Sequence, residues 1–269
     1  MFSWKLGRVA GIDLYLHSTF VLLLVLIALT QGGLPAVVFT MAVFGCVLLH
    51  ELGHALTARG FGIPTASITL YPIGGVARLE RLPRAPGAEL LITIAGPAVN
   101  LAIAAGLGLA LWAGGLLEPW AAESVIGRFV ETLMAANIML AVFNLLPAFP
   151  MDGGRIVRAL LSGWLGRARA TEIAATLGQV LAVALPLVLM GFGLFNPLHL
   201  ILAAFLYLAA RSELAQVRAE EAHRQRNVNG GQEIWTAPPG YRWVSRGPGA
   251  WQLTPIVLTV DDRPGRPWF

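Results

Sequence analysis

CVLLHELGHALTARG, residues 46–60, sets two histidines and a glutamate in the middle of an otherwise apolar stretch. On a helix, His50 and His54 project from one face, about 6 Å apart along the axis. Two imidazoles at that spacing can take two corners of a zinc tetrahedron, and Glu51 beside the first can reach a water in the same site. In a charged, soluble chain so short a pattern is equally well read as two core histidines bonded to backbone. Here the surroundings are hydrocarbon-like, where an ionisable side chain is costly and three together need a common partner. The stretch is therefore read as a membrane-spanning helix that carries a metal site.

Composition agrees. Of 269 residues, 56% are hydrophobic and only 13% charged, with a mean hydropathy of +0.68, against roughly a quarter charged in a soluble domain. The one cysteine, Cys46, excludes an internal disulfide. A pI near 9.8 raises nucleic acid as a partner, but the basic residues are scattered between apolar runs and form no patch, so nucleic acid is set aside. Of the 19 basic residues 18 are Arg, which hints at a GC-rich genome and says little about function; a prokaryotic source is expected.

A span needs about 20 apolar residues, and six such runs occur, at 15–31, 35–57, 89–114, 125–147, 174–195 and 197–214. Lys5 and Arg8 precede the first, but no small-residue cleavage site follows it, so it is read as a retained span. Segment 58–88 carries Arg59, Arg78, Arg81 and Arg84, and segment 151–173 carries Arg155, Arg158, Arg167 and Arg169. The turns at 31–34, 115–124 and 195–197 carry neither Lys nor Arg. The positive-inside rule then places both termini in the cytoplasm of a multi-pass cell-membrane protein.

Zinc needs a third protein ligand. The fourth run ends NLLPAFPMDGGR, residues 144–155, where Pro147 and Pro150 break the helix and Asp152 stands beside Gly153-Gly154. Irregular backbone at membrane depth is tolerated where it is buried in protein or lines a cavity, so an acid at such a break is well placed to turn inward. Cys46 is the rival, on a stripe with His50 and His54. It lies about 12 Å from His54 along the helix axis, and is read as packing.

HELGH in the second run together with NLLPAFPMDGGR closing the fourth resembles the site-2 protease family of intramembrane zinc metalloproteases. YPIGGVARLE (71–80) and AGPAVN (95–100) are also similar to that family's segments, and the likeness runs from about residue 4 to about residue 215. The resemblance implies zinc ligands at His50, His54 and Asp152, one zinc per chain, a catalytic glutamate at Glu51 and an active-site asparagine at Asn144. It also implies single-span or other membrane-protein substrates, and a homo-oligomer is compatible with it. Relatives of this form often carry paired CBS domains after the last span; the tail here does not resemble them.

The chemistry can be argued from the residues as well. Zinc with an open position lowers the pKa of water toward about 7, and Glu51 is placed to accept its proton and return it to the leaving amine. Asn144 is the best side-chain donor to a developing oxyanion; its plain alternative is an interhelical hydrogen bond. Asn100 either orients a ligand or ties the third span to its neighbour. Gly53 is read as a point of close helix approach. Two other functions compete: a metal transporter, which would need polar groups through both leaflets where the outer halves of these spans hold almost none, and a catalytically inactive relative that binds membrane helices, which should have lost Glu51 or a ligand.

The expected architecture is an all-α polytopic membrane protein of six transmembrane helices, residues 1–215, with a short β-hairpin or bent strand at 65–80 between spans two and three. That segment is read either as an edge that pairs with an unwound substrate or as a surface loop. Residues 216–269 are expected to form a short, partly disordered cytoplasmic tail, with one strand at 255–260.

Overall fold

A computed structural model describes residues 3–80, 83, 85–114, 124–194, 196–230, 241–247 and 250–255. Of the turn expected at 115–124 and the strand expected at 255–260, residues 115–123 and 256–260 lie outside these residues. The chain divides into two compact units, residues 1–220 and 221–269.

The first unit opens with a hairpin, β1 (Ser3–Val9) and β2 (Ile12–His17), closed through Ala10-Gly11. Both turn residues have positive φ, 49° and 85°, the twist that a two-residue hairpin connection needs. Two helices follow, α1 (Ser18–Thr30) and α2 (Leu34–Gly60). The chain then returns to the same sheet as β3 (Thr65–Tyr71), antiparallel to β4 (Gly74–Leu79). Strand order is β1-β2-β3-β4, with β2 and β3 parallel in the register Leu14 to Ile68. A parallel pair requires a crossover, and here the crossover is the helical pair α1–α2. After the sheet come α3 (Pro86–Ala113), α4 (Val125–Leu145), α5 (Asp152–Leu165), α6 (Arg167–Gly191) and α7 (Leu198–Gly230).

Five of these helices, α2, α3, α4, α6 and α7, are long and apolar enough to cross a membrane. The chain is a membrane protein. Five of the six expected spans fall on these helices, and the all-α expectation is corrected: the expected hairpin at 65–80 is half of a four-stranded sheet whose other half precedes the first helix. The first apolar run begins inside β2, which leaves α1 only 13 residues long, about 20 Å. His17 caps it, its ring accepting from the Thr19 N–H and stacking on Tyr71 of β3 at 4.7 Å between centroids. The expected loop after the fourth span contains a helix, α5, of 14 residues with Arg155 and Arg158 along it.

One face of the sheet packs on α2. Ile12, Leu14 and Ile68 meet Leu52 and Ala55 there, with Leu48 and Ala77 at the margin. Arg59, at the end of α2, donates to the Ala10 carbonyl (3.0 Å) and pins the first hairpin turn to the helix. A second anchor is ionic. The fully buried Arg158 of α5 pairs with Glu89 of α3 (2.6 Å) and Glu213 of α7 (2.7 Å), and lies over the Phe149 ring.

In the second unit, β5 (Tyr241–Gly247) and β6 (Ala250–Pro255) form an antiparallel hairpin.

Candidate metal centre

The HELGH stretch lies in α2, and α3 presses against it. Gly53 makes the approach possible: a β-carbon there would stand 2.8 Å from Val99 and 2.9 Å from the Ala95 carbonyl. Gly96 faces the two histidines, and a β-carbon on it would lie 2.5 Å from His54 Cε1 and 2.7 Å from His50 Nε2. The space between the rings is kept open by the absence of that carbon.

Asp152 arrives from the other side as the first residue of α5. The break foreseen from the two prolines spans residues 146–151 and brings the end of α4 across the first turn of α5. Only glycine fits beneath it. A β-carbon on Gly153 would overlap the Leu145 and Leu146 carbonyls, and one on Gly154 would stand 2.7 Å from the backbone of Ala148 and Phe149. Phe149, fully buried, fills the gap toward Ala174 and Ala175 of α6. The helix N-terminus also favours a carboxylate at this position.

His50, His54 and Asp152 thus converge as one group able to hold a metal. The two Nε2 atoms are 3.0 Å apart, and Asp152 Oδ2 lies 3.3 Å from that of His50 and 3.2 Å from that of His54. These separations match the edges, about 3.3 Å, of a tetrahedron with zinc–ligand arms of about 2.0–2.1 Å.

Protonation makes the fit sharper. His54 Nδ1 faces the Ile92 carbonyl at 2.7 Å, an obligate acceptor, so Nδ1 carries the hydrogen and Nε2 a lone pair. His50 Nδ1 faces Asn100 Oδ1 at 2.5 Å. Asp152 Oδ2 is buried, and its near polar neighbours are the two Nε2 atoms. Three lone pairs aimed at one point call for a cation.

The other site residues fall as follows. Glu51 is half-buried on the sheet side of α2, against Gly75 of β4. Asn144 lies in the last turn of α4, half-buried, with Nδ2 donating to the Leu140 carbonyl at 2.9 Å; it is not one of the converging groups. Cys46 is outside the donor set, and its sulfur accepts from Asn137 Nδ2 at 3.3 Å. Asn100, left between two readings by the sequence, lies against His50. The sequence reading missed the closeness of Gly75 and Gly96 to the site, whose only signal was a glycine within an otherwise ordinary strand or helix, and it missed Asn137.

The sequence pattern of peptidase family M50 matches residues 38–117 and 116–185. A zinc metalloprotease of Methanocaldococcus jannaschii is 37% identical over 246 residues, covering 89% of this chain and 68% of that protein. The Rip3 protein of Mycobacterium tuberculosis is 34% identical over 242 residues, covering 80% of this chain and 60% of its own length. Among solved structures, the site-2 protease from Methanocaldococcus jannaschii superposes with a TM-score of 0.58 at 36% identity, covering 79% of this chain and 95% of that one.

Proposed function

The chain belongs to peptidase family M50, and from that premise we propose that it is an intramembrane zinc metalloendopeptidase, cutting peptide bonds within or near the transmembrane segments of single-span and other membrane proteins. The observation that carries the reading is the convergence of His50, His54 and Asp152 at tetrahedral separations with Glu51 alongside. The other two readings of the sequence, a metal transporter and an inactive relative, are not favoured: the matched relatives are metalloproteases, and the catalytic set retains Glu51.

In this reading His50, His54 and Asp152 hold one zinc per chain. When bound, zinc supplies Lewis acidity toward a carbonyl and an attacking water acidified toward neutrality. Glu51 is the general base: it takes the proton of the attacking water and gives it to the leaving amine. Asn144 spends one amide N–H on Leu140 and keeps a second for the developing oxyanion. β4 is an edge strand of the sheet among the described residues, and its Gly75 lies against Glu51. That placement favours β4 over a mere surface loop as the template that holds an unwound substrate extended, replacing the hydrogen bonds its helix gives up.

The same reading has six spans in the cell membrane, with both termini cytoplasmic. The sheet supports the parity. Residues 3–17 and 65–79 share one set of strands, so they lie on one side of the bilayer, and α1 must cross if α2 does. At about 20 Å it is matched by local thinning of a bilayer core of about 30 Å. Residues 1–215 are the protease domain, residues 216–269 a short cytoplasmic tail, and self-association is compatible with this arrangement.

Glu51→Gln tests the assignment. It removes the proton acceptor and leaves the donor set, so cleavage of a single-span substrate in proteoliposomes falls by about 100-fold or more while one zinc per chain is retained. His54→Ala and Asp152→Ala lose both. Cleavage by Glu51→Gln at the parent rate overturns the mechanism.

A further inference from the structure

Behind His50 runs a line of amides through three spans. Asn137 of α4 donates through Nδ2 to the Leu133 carbonyl of its own helix at 2.9 Å. Its Oδ1 accepts from Asn100 Nδ2 of α3, also at 2.9 Å, and Asn100 Oδ1 faces His50 Nδ1 of α2. Asn100 and Asn137 are both completely buried, so neither can trade these partners for bulk water.

The line has a direction. A backbone carbonyl only accepts, so Leu133 fixes which end of the Asn137 amide is nitrogen. That leaves Oδ1 toward Asn100 and requires nitrogen there, which turns Asn100 Oδ1 toward the ring. The ring must then donate from Nδ1, and its lone pair stands at Nε2, facing His54 and Asp152. With the order reversed, Asn100 would offer N–H to the ring, and the hydrogen would move to Nε2, where a metal ligand cannot carry it.

We propose that Asn137 is a positioning residue of the metal site, acting through Asn100 to hold His50 in the tautomer that can bind zinc. This rests on the assignment of His50 as a ligand. The hydrogen bonds of Asn137 go to Leu133, Asn100 and Cys46 and to none of the three donors, and its contact with Cys46 Sγ closes its remaining N–H. A plain interhelical hydrogen bond would satisfy burial equally well in either orientation; the anchoring on Leu133 removes that freedom.

The test measures zinc affinity of the purified full chain by competition with a chelator. Asn137→Leu leaves Asn100 free to turn over, and its zinc dissociation constant rises about 10–100-fold. Adding Asn100→Asp to that variant returns affinity to the parent value, because a carboxylate presents an acceptor to His50 whichever oxygen faces it. Unchanged affinity in Asn137→Leu, or a loss that Asn100→Asp does not restore, overturns the proposal. An independent readout needs no change at Asn137. In the metal-free parent under mildly alkaline conditions, 15N spectra should show His50 protonated at Nδ1, with the resonance assigned against His50→Ala; protonation at Nε2 overturns the proposal. His50→Ala is also the control for the premise. If it binds zinc like the parent, the ligand assignment has failed; if it loses zinc while Asn137→Leu does not, only the role of Asn137 has failed.

Discussion

Gly75 of β4 lies so close to Glu51 of α2 that a β-carbon at position 75 would stand 2.6 Å from Glu51 Cγ. The sheet edge and the glutamate occupy adjoining space, and glycine is the condition for both. Gly75→Ala is expected to swing the Glu51 carboxylate away, lowering cleavage by about 100-fold, the scale of a displaced general base. Zinc content should stay at the parent value, since none of the three donors is touched. Metal analysis alongside a cleavage assay checks both halves.

Gly96→Ala acts on the other component. Its β-carbon intrudes on both imidazoles, and the backbone of α3, held against α2 at Gly53, has no room to withdraw. Zinc should be lost along with cleavage, whereas a similar exchange at Gly106, where a β-carbon meets nothing, leaves both intact. Full zinc content in Gly96→Ala would show that the rings have another arrangement available.

For the edge strand, Val76→Pro is the appropriate probe. Val76 is half-exposed on β4, opposite Thr69 of β3, and proline there disturbs the strand that would receive an extended partner. Cleavage should fall about tenfold or more at unchanged zinc, and a substrate with helix-breaking residues near the cut should be cleaved faster than its parent. Ile68 would not serve, being fully buried between β2 and β4, where proline would test folding instead.

Arg158 carries a structural prediction. Replacing it with Met leaves Glu89 and Glu213 without the cation that joins them, and loss of one partner from a buried pair costs about 3–5 kcal/mol. Thermal unfolding in detergent micelles should show a clear drop in Tm, with Arg158→Lys intermediate because a single ammonium cannot reproduce the forked contact.

Orientation can be read by labelling. Arg78 and Arg169 are exposed and lie on the side assigned to the cytoplasm. In a Cys46→Ser background, Arg78→Cys and Arg169→Cys should react with a membrane-impermeant thiol reagent only after the cytoplasmic face is opened. Reaction in intact cells would reverse the topology.

How much of this was legible depended on whether a residue's meaning was local. HELGH was readable because ionisable groups in an apolar run are too costly to be incidental, and the break at MDGG because proline and glycine mark irregular backbone directly. The hairpin β1–β2 was hidden because IDLYLH runs straight into the apolar start of α1, so alternation dissolved into a continuous hydrophobic count. α5 reads as a loop in the sequence since its glycines and arginines mask the helical period. Asn137 carried no signal at all: a single amide in a span has no spacing to Asn100, and only the packing of α3 on α4 gives it a neighbour.

The parallel pairing of β2 with β3 sets an order of assembly. β1 and β2 emerge first during synthesis and can pair at once, but the partner on their open edge is about 50 residues away, a loop whose closure entropy must be met. That edge waits until α1 and α2 have been made and the chain has returned to the sheet. The return of β3 completes the sheet face on which Leu52 and Ala55, the flanks of HELGH's second histidine, are packed. A chain nicked between α1 and α2 should therefore remain one folded body, its halves held by the strands, while a chain begun after β2 would have nothing to register the helix that carries the histidines.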